Sequence, residues 1–210
     1  MFWSTFIVLA AVRCATAIAQ STAFVDSSTG IVFQRVQTNT DGSSVAIALP
    51  SQGAAASDAI IQLTGPASHS FAGVSPSIAT GSIFAACCWC CTAQRRSIHG
   101  GFRQPMFGAR RLGAGGHEEK TAVEPVLTAI GEPEITESTF KVTFRCQNCT
   151  FSETKGSKFT TLTTVFSTNE VSSISDPNLK VNPATDIITE VQFNLADARI
   201  ANYWSIVNRH

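Results

Sequence analysis

Acidic residues are missing between Asp58 and Glu118, a long gap in a chain of 210 residues. Charge of any kind is scarce, at 14% of the composition, and it is balanced, with 15 Lys and Arg against 15 Asp and Glu. A nucleic-acid binder needs a strong basic excess to meet phosphates, so that class is excluded. After the initiator the only methionine is Met106, and the only tyrosine is Tyr203. No apolar run reaches the roughly 18 uninterrupted residues that suggest a membrane span. The histidines are His69, His99, His117 and His210, and no His-x-x-x-His spacing occurs among them. Nor does the chain offer a nucleophile–base pair, a phosphate-cradling glycine loop after a strand, or a spaced carboxylate pair. Catalysis by this chain alone has no support in its residues.

What is present begins with an apolar leader. Phe2 to Val12 (FWSTFIVLAAV) is too short to cross a bilayer, which takes about 20 residues. Ala17-Ile18-Ala19 follows with the small-x-small pattern of a cleavage site, and then Gln20-Ser21. Residues 1–19 are read as a signal peptide, against the alternative of a buried strand or helix, and the mature chain as secreted. Residues 20–210 suit a single domain with a sizeable core.

Ser, Thr, Val, Ile and Phe favour strands over helices. Candidate strands are 31–36, 44–49, 58–63, 139–146, 160–166 and 187–195. The clearest is Phe140-Lys141-Val142-Thr143-Phe144-Arg145-Cys146, which alternates strictly and so reads as a half-buried strand. Turn clusters at 26–30, 39–43, 65–66 and 175–178 punctuate these runs. The expected fold is an all-β antiparallel sandwich of immunoglobulin-like type, with one short helix within 195–206.

Residues 84–120 break this texture. They carry Cys87-Cys88-Trp89-Cys90-Cys91 and five of the ten arginines, with dense glycine and no strand alternation. Three explanations compete: a loose basic loop, a fault in the coding sequence, or a metal–thiolate or redox site. The cysteines are spaced too tightly for ordinary zinc ligation or regular disulfides.

Cys146 and Cys149 are different, because a strand end gives them a frame. In an exported chain Cys-x-x-Cys favours a small disulfide-closed turn, with free thiols or a metal as the alternatives. Asn148-Cys149-Thr150 is also an N-glycosylation sequon.

Four segments carry a family resemblance. They are Phe144-Arg145-Cys146-Gln147-Asn148-Cys149, the opening Phe24 to Phe33 (FVDSSTGIVF), Leu63 to Val74 (LTGPASHSFAGV) and Ala201-Asn202-Tyr203. Together they resemble the cytochrome domains of cellobiose dehydrogenases, across about 21–83 and 121–204. The resemblance implies a secreted fungal, DOMON-like sandwich holding haem b between a methionine and a histidine. Such a domain relays electrons from a flavodehydrogenase to acceptors that include copper polysaccharide monooxygenases. At most, then, the chain is the electron-transfer component of an oxidoreductase, its partners supplied in trans.

The ligand places do not match. The family methionine falls within Ile78-Ala79-Thr80, and the family histidine at Ala184, ahead of Thr185-Asp186. None of these side chains supplies the sulfur or imidazole nitrogen that haem iron takes. Ser75-Pro76-Ser77 stands where the family has glycines. Met106 with His117, or His69 with His99, would offer substitute atoms. The expectation is therefore a haem-deficient member of the family. The alternative is a haem-free module that binds carbohydrate or another partner through Trp204, Tyr203 or Phe71.

Overall fold

The computed structural model describes residues 21–51, 57–75, 82–87, 106–111, 125–149, 151, 159–169 and 185–209. In chain order the strands are β1 (Thr22–Val25), β2 (Val32–Gln37), β3 (Ser44–Pro50), β4 (Asp58–Pro66), β5 (Phe71–Ser75), β6 (Ser82–Cys87), β7 (Met106–Arg111), β8 (Val126–Ala129), β9 (Glu134–Ile135), β10 (Thr139–Gln147), β11 (Phe159–Ser167), β12 (Ile187–Asn194) and β13 (Arg199–Ile200). One helix, α1 (Tyr203–Val207), follows.

Two sheets form. An eight-stranded sheet runs β1-β2-β3-β4-β10-β8, with β13 beside β3 and β9 beside β10; a five-stranded sheet runs β12-β11-β5-β6-β7. Every described pairing is antiparallel except that of β13 with β3. The all-β sandwich expected from composition and alternation is what forms.

Phe140, Val142, Phe144 and Cys146 of β10 point into the main core, against Val45, Ile47, Leu63, Leu162, Phe166 and Phe193. The other face of the large sheet is apolar too. Ile31, Phe33, Ala46, Ala48, Ile60, Tyr203 and Ile206 make a second cluster under α1. Strand β3 is consequently buried at every position. Burial on both faces removes the in/out pattern and leaves a nearly continuous apolar run.

Three sequence expectations change. The helix expected within 195–206 shrinks to Tyr203–Val207, because Arg199–Ile200 pairs with Leu49–Pro50 and the Ala198 carbonyl accepts from Leu49 N. Within 84–120 the absence of strand texture does not hold throughout. Ser82–Cys87 and Met106–Arg111 pair with each other, and β6 also pairs with β5. β7 ends its sheet's strand order, and a single neighbour holds such a run without strict alternation. Short strands at β1, β8, β9 and β13 were also not expected, because each is only 2–4 residues long. Cys146 and Cys149 form a disulfide, and Asn148 turns the chain between them with φ 61°.

Candidate functional site

Two of the resemblance segments meet on the α1 side of the large sheet. The Tyr203 hydroxyl donates to Asp58 Oδ1 at 2.7 Å. Arg145 donates from Nε to both Asp58 oxygens at 3.0 and 3.2 Å, and from Nη2 to Oδ2 at 2.5 Å. Next to Asp58, the Ser57 carbonyl accepts from Cys149 N at 2.9 Å, which ties the disulfide turn to the same corner. The hydrogen bond to Asp58 holds the Arg145 guanidinium charged above its ordinary pKa. Burial, reinforced by Asp58, pushes the Tyr203 phenol well up, so it stays a neutral donor. The Asp58 carboxylate thus clamps α1 to Arg145 of β10, and the neighbouring Ser57 carbonyl holds the disulfide turn at the same corner. Sequence reading missed Asp58; its signal was an acid heading an apolar strand.

The sugar-stacking alternative is not favoured by the placement of its residues. Tyr203 and Phe71 are buried. Trp204 is 42% exposed, but its ring has Tyr203 edge-on at 5.2 Å and the Arg145 guanidinium 5.6 Å from its centroid.

The opening segment is also structural. Asp26 Oδ2 accepts from the Ser28 hydroxyl at 2.8 Å, Thr29 N at 3.1 Å and the Thr29 hydroxyl at 2.5 Å. Gly30, at φ 70°, closes the turn with its N–H on the Asp26 carbonyl, a conformation that favours glycine. Lys141 Nζ then bridges Asp26 Oδ1 at 2.7 Å and Glu134 Oε1 at 2.6 Å.

An acid-unfolding prediction follows. Burial would raise the Asp26 pKa, but hydrogen bonds from Lys141, Thr29 and Ser28 outweigh it and bring the value from 3.8 to about 2. A depressed carboxyl contributes stability that is complete above 3.8 and lost as pH falls through 2, on the order of 2 kcal/mol. His69 acts earlier. Burial lowers its pKa from 6.5 against the pull of Asp41, so the folded state resists protonation and stability drops as pH falls below 6.5. Urea midpoints against pH should show both steps. Asp26→Asn should shrink the lower step, to which the lowered Asp41 and Glu134 carboxyls also contribute, and His69→Gln should abolish the upper. A lower step undiminished in Asp26→Asn would refute the assignment.

The face of the five-stranded sheet turned from the core is the candidate site. Ala72, Val74, Leu162 and Phe166 point into the core. Phe71, Gly73 and Ser75 on β5, with Thr163, Val165 and Ser167 on β11, therefore take the opposite face. Register aligns them in rows: Ser75–Thr163–Glu190, Gly73–Val165–Ile188 and Phe71–Ser167. Phe71, Ser75, Thr163, Val165 and Ser167 are buried, so this face is covered in its middle. Beside the last row stands a polar latch. Asp186 Oδ1 accepts from the Ser167 hydroxyl at 2.6 Å and from Asn169 Nδ2 at 2.9 Å, and Asn169 Nδ2 also donates to Thr185 Oγ1 at 2.9 Å. The Ser70 hydroxyl donates to the Asn169 carbonyl and joins β5 to the latch.

Of the sequence-predicted site residues, Ile78, Ala79, Thr80, Ala184, His99 and His117 lie outside the described residues. Met106 opens β7 opposite Cys87. His69 lies in the β4–β5 turn between the sheets. Its Nε2 is 3.7 Å from Asp41 Oδ2, its ring packs 5.7 Å from that of core-facing Phe166, and its buried Nδ1 has no hydrogen-bond partner among the described residues. It is therefore directed to the interior rather than to the outward face. No group of three or more His, Cys, Asp and Glu able to hold a metal occurs among the described residues.

The scaffold has known counterparts. The cytochrome b domain of pyranose dehydrogenase from Coprinopsis cinerea shares 19% identity at a TM-score of 0.59, covering 90% of this chain and 95% of that one. The cytochrome domain of Myriococcum thermophilum cellobiose dehydrogenase shares 18% at a TM-score of 0.62, with 90% and 95% covered. No curated relative matches. The family model described as the cytochrome domain of cellobiose dehydrogenase matches residues 24–205. The chain belongs to the family of cellobiose dehydrogenase cytochrome domains.

Proposed function

We propose that this chain is a secreted cytochrome-type sandwich that keeps the family scaffold but has lost two-ligand haem b ligation. Electron transfer from a flavodehydrogenase is the ancestral role. One observation carries the reading. Thr185 and Asp186 form the latch, yet alanine precedes them at 184 where the family resemblance calls for a histidine. At the other ligand place, Ile78, Ala79 and Thr80 offer no sulfur or imidazole. His69, the one histidine with a described side chain, faces Asp41 between the sheets. Neither family ligand place supplies a methionine or a histidine in the sequence, which supports the loss of two-ligand ligation. The leader at 2–12 and the disulfide support export. No helix among the described residues is long and apolar enough to cross a membrane. Were haem bound, a flavodehydrogenase and a copper polysaccharide monooxygenase acting in trans would be its natural partners.

The test is absorbance of the full chain expressed with excess haem. The expected result is protein without a stoichiometric Soret band and without sharp α and β bands on reduction. A stoichiometric haem with both axial positions filled by the protein would overturn the loss of ligation. Alanine variants at Met106, His117 and His69 would then identify the rewired ligands.

A further inference from the structure

The disulfide and the sequon occupy the same turn. Asn148-Cys149-Thr150 is the only Asn-x-Ser/Thr sequence in the chain, and its middle residue is one of the two bridged cysteines. Asn148 is exposed, as an acceptor must be, but its backbone is fixed at φ 61° between cysteines that are both buried. Cys149 N donates to the Ser57 carbonyl at 2.9 Å and pins the turn to the head of β4. A glycosyl transferase must draw the sequon into its own site as a pliant loop, so that the asparagine amide can be approached in line. A turn closed across positions 146 and 149 and bonded to a neighbouring strand cannot be drawn out in that way.

We propose that closure of Cys146–Cys149 decides whether Asn148 is glycosylated: open, the sequon is an acceptor; closed, it is refused. The proposal rests on the secretory reading above. Two reactions compete for one segment. In the first, Asn148 Nδ2 bonds to the anomeric carbon of a lipid-linked oligosaccharide. The bond from that carbon to the lipid pyrophosphate breaks, the pyrophosphate leaves, and the amide gives up one proton. In the second, the two thiols lose two protons and two electrons and become a disulfide. A protein disulfide of the secretory compartment takes up those electrons and becomes a dithiol. Each product bars the other reaction, since a glycan on Asn148 also obstructs closure of the turn.

The experiment translates the full chain into microsomes behind a heterologous leader, so that entry does not depend on its own. The readout is the mobility shift removed by an endoglycosidase. Wild type should be mostly unshifted. Cys146→Ser leaves the sequon intact and should raise the glycosylated fraction several-fold. Wild type synthesised with a reductant should show the same rise, which covers a variant that fails to fold. Asn148→Gln should remain unshifted throughout. Equal glycosylation in the closed and open forms would overturn the proposal, as would no glycosylation in any. A parallel arm with residues 1–19 as the leader reports on export alone, so its failure counts against the secretory reading and leaves the gating result standing.

Discussion

Replacing Asp58 with alanine is expected to remove about 3–5 kcal/mol of stability, because it strands two partners at once. The Arg145 guanidinium loses three hydrogen bonds in a site where its side chain is 20% exposed. The Tyr203 hydroxyl loses its carboxylate while the residue stays buried under the large sheet. An unpaired buried donor carries its full desolvation cost, which is why removing the shared acceptor exceeds removing either donor. Tyr203→Phe deletes one charge-assisted bond and should cost about 1.5–3 kcal/mol. Asp58→Asn keeps an acceptor for Tyr203 but no charge for Arg145, and it should fall between the two. The measurement is urea unfolding, with the midpoint lowered and the slope unchanged if the native state stays compact. An Asp58→Ala unfolding free energy within about 0.5 kcal/mol of wild type would show that apolar packing alone holds α1.

The β10 strand was plain in the sequence because its core side is uniform: Phe140, Val142, Phe144 and Cys146 all face the same cluster. Strands β3 and β4 were found by apolar content rather than period, since clusters on both faces of the large sheet erase alternation. The short β1 and β8 are largely exposed and carry no pattern of their own; their neighbours make them strands. The site was harder to read. Resemblance singled out Arg145 and Tyr203, but their common partner lies 87 and 145 positions away, respectively. No local periodicity encodes such a meeting. The latch was hidden likewise: Thr185-Asp186 was noticed only as the flank of a ligand place, and its hold on Ser167 and Asn169 depends on β11 ending beside the start of β12. Signature residues thus marked what keeps the sandwich closed, whereas the chemistry they are associated with depends on side chains elsewhere in the chain.

Phe140→Ala should also cost about 3–5 kcal/mol, since it empties the space of a fully buried ring in the main core. Its neighbour supplies a sharper test of how that core is packed. Gly65 lies directly opposite Phe140 on β4, and a Cβ placed there would come within 3.0 Å of Phe140 Cε1, 3.2 Å of Cζ and 3.3 Å of Phe166 Cε1. Gly65→Ala alone should therefore destabilise by about 1–3 kcal/mol, although alanine suits a strand interior better than glycine. Once Phe140 is truncated, two of those three contacts vanish and the added methyl enters the new cavity. The double variant should be more stable than the sum of the single losses by about 1 kcal/mol or more, and Gly65→Ala should approach neutral in that background. Losses that add to within about 0.5 kcal/mol would mean that the ring simply swings aside. In that case the glycine is retained for backbone reasons and not to admit Phe140.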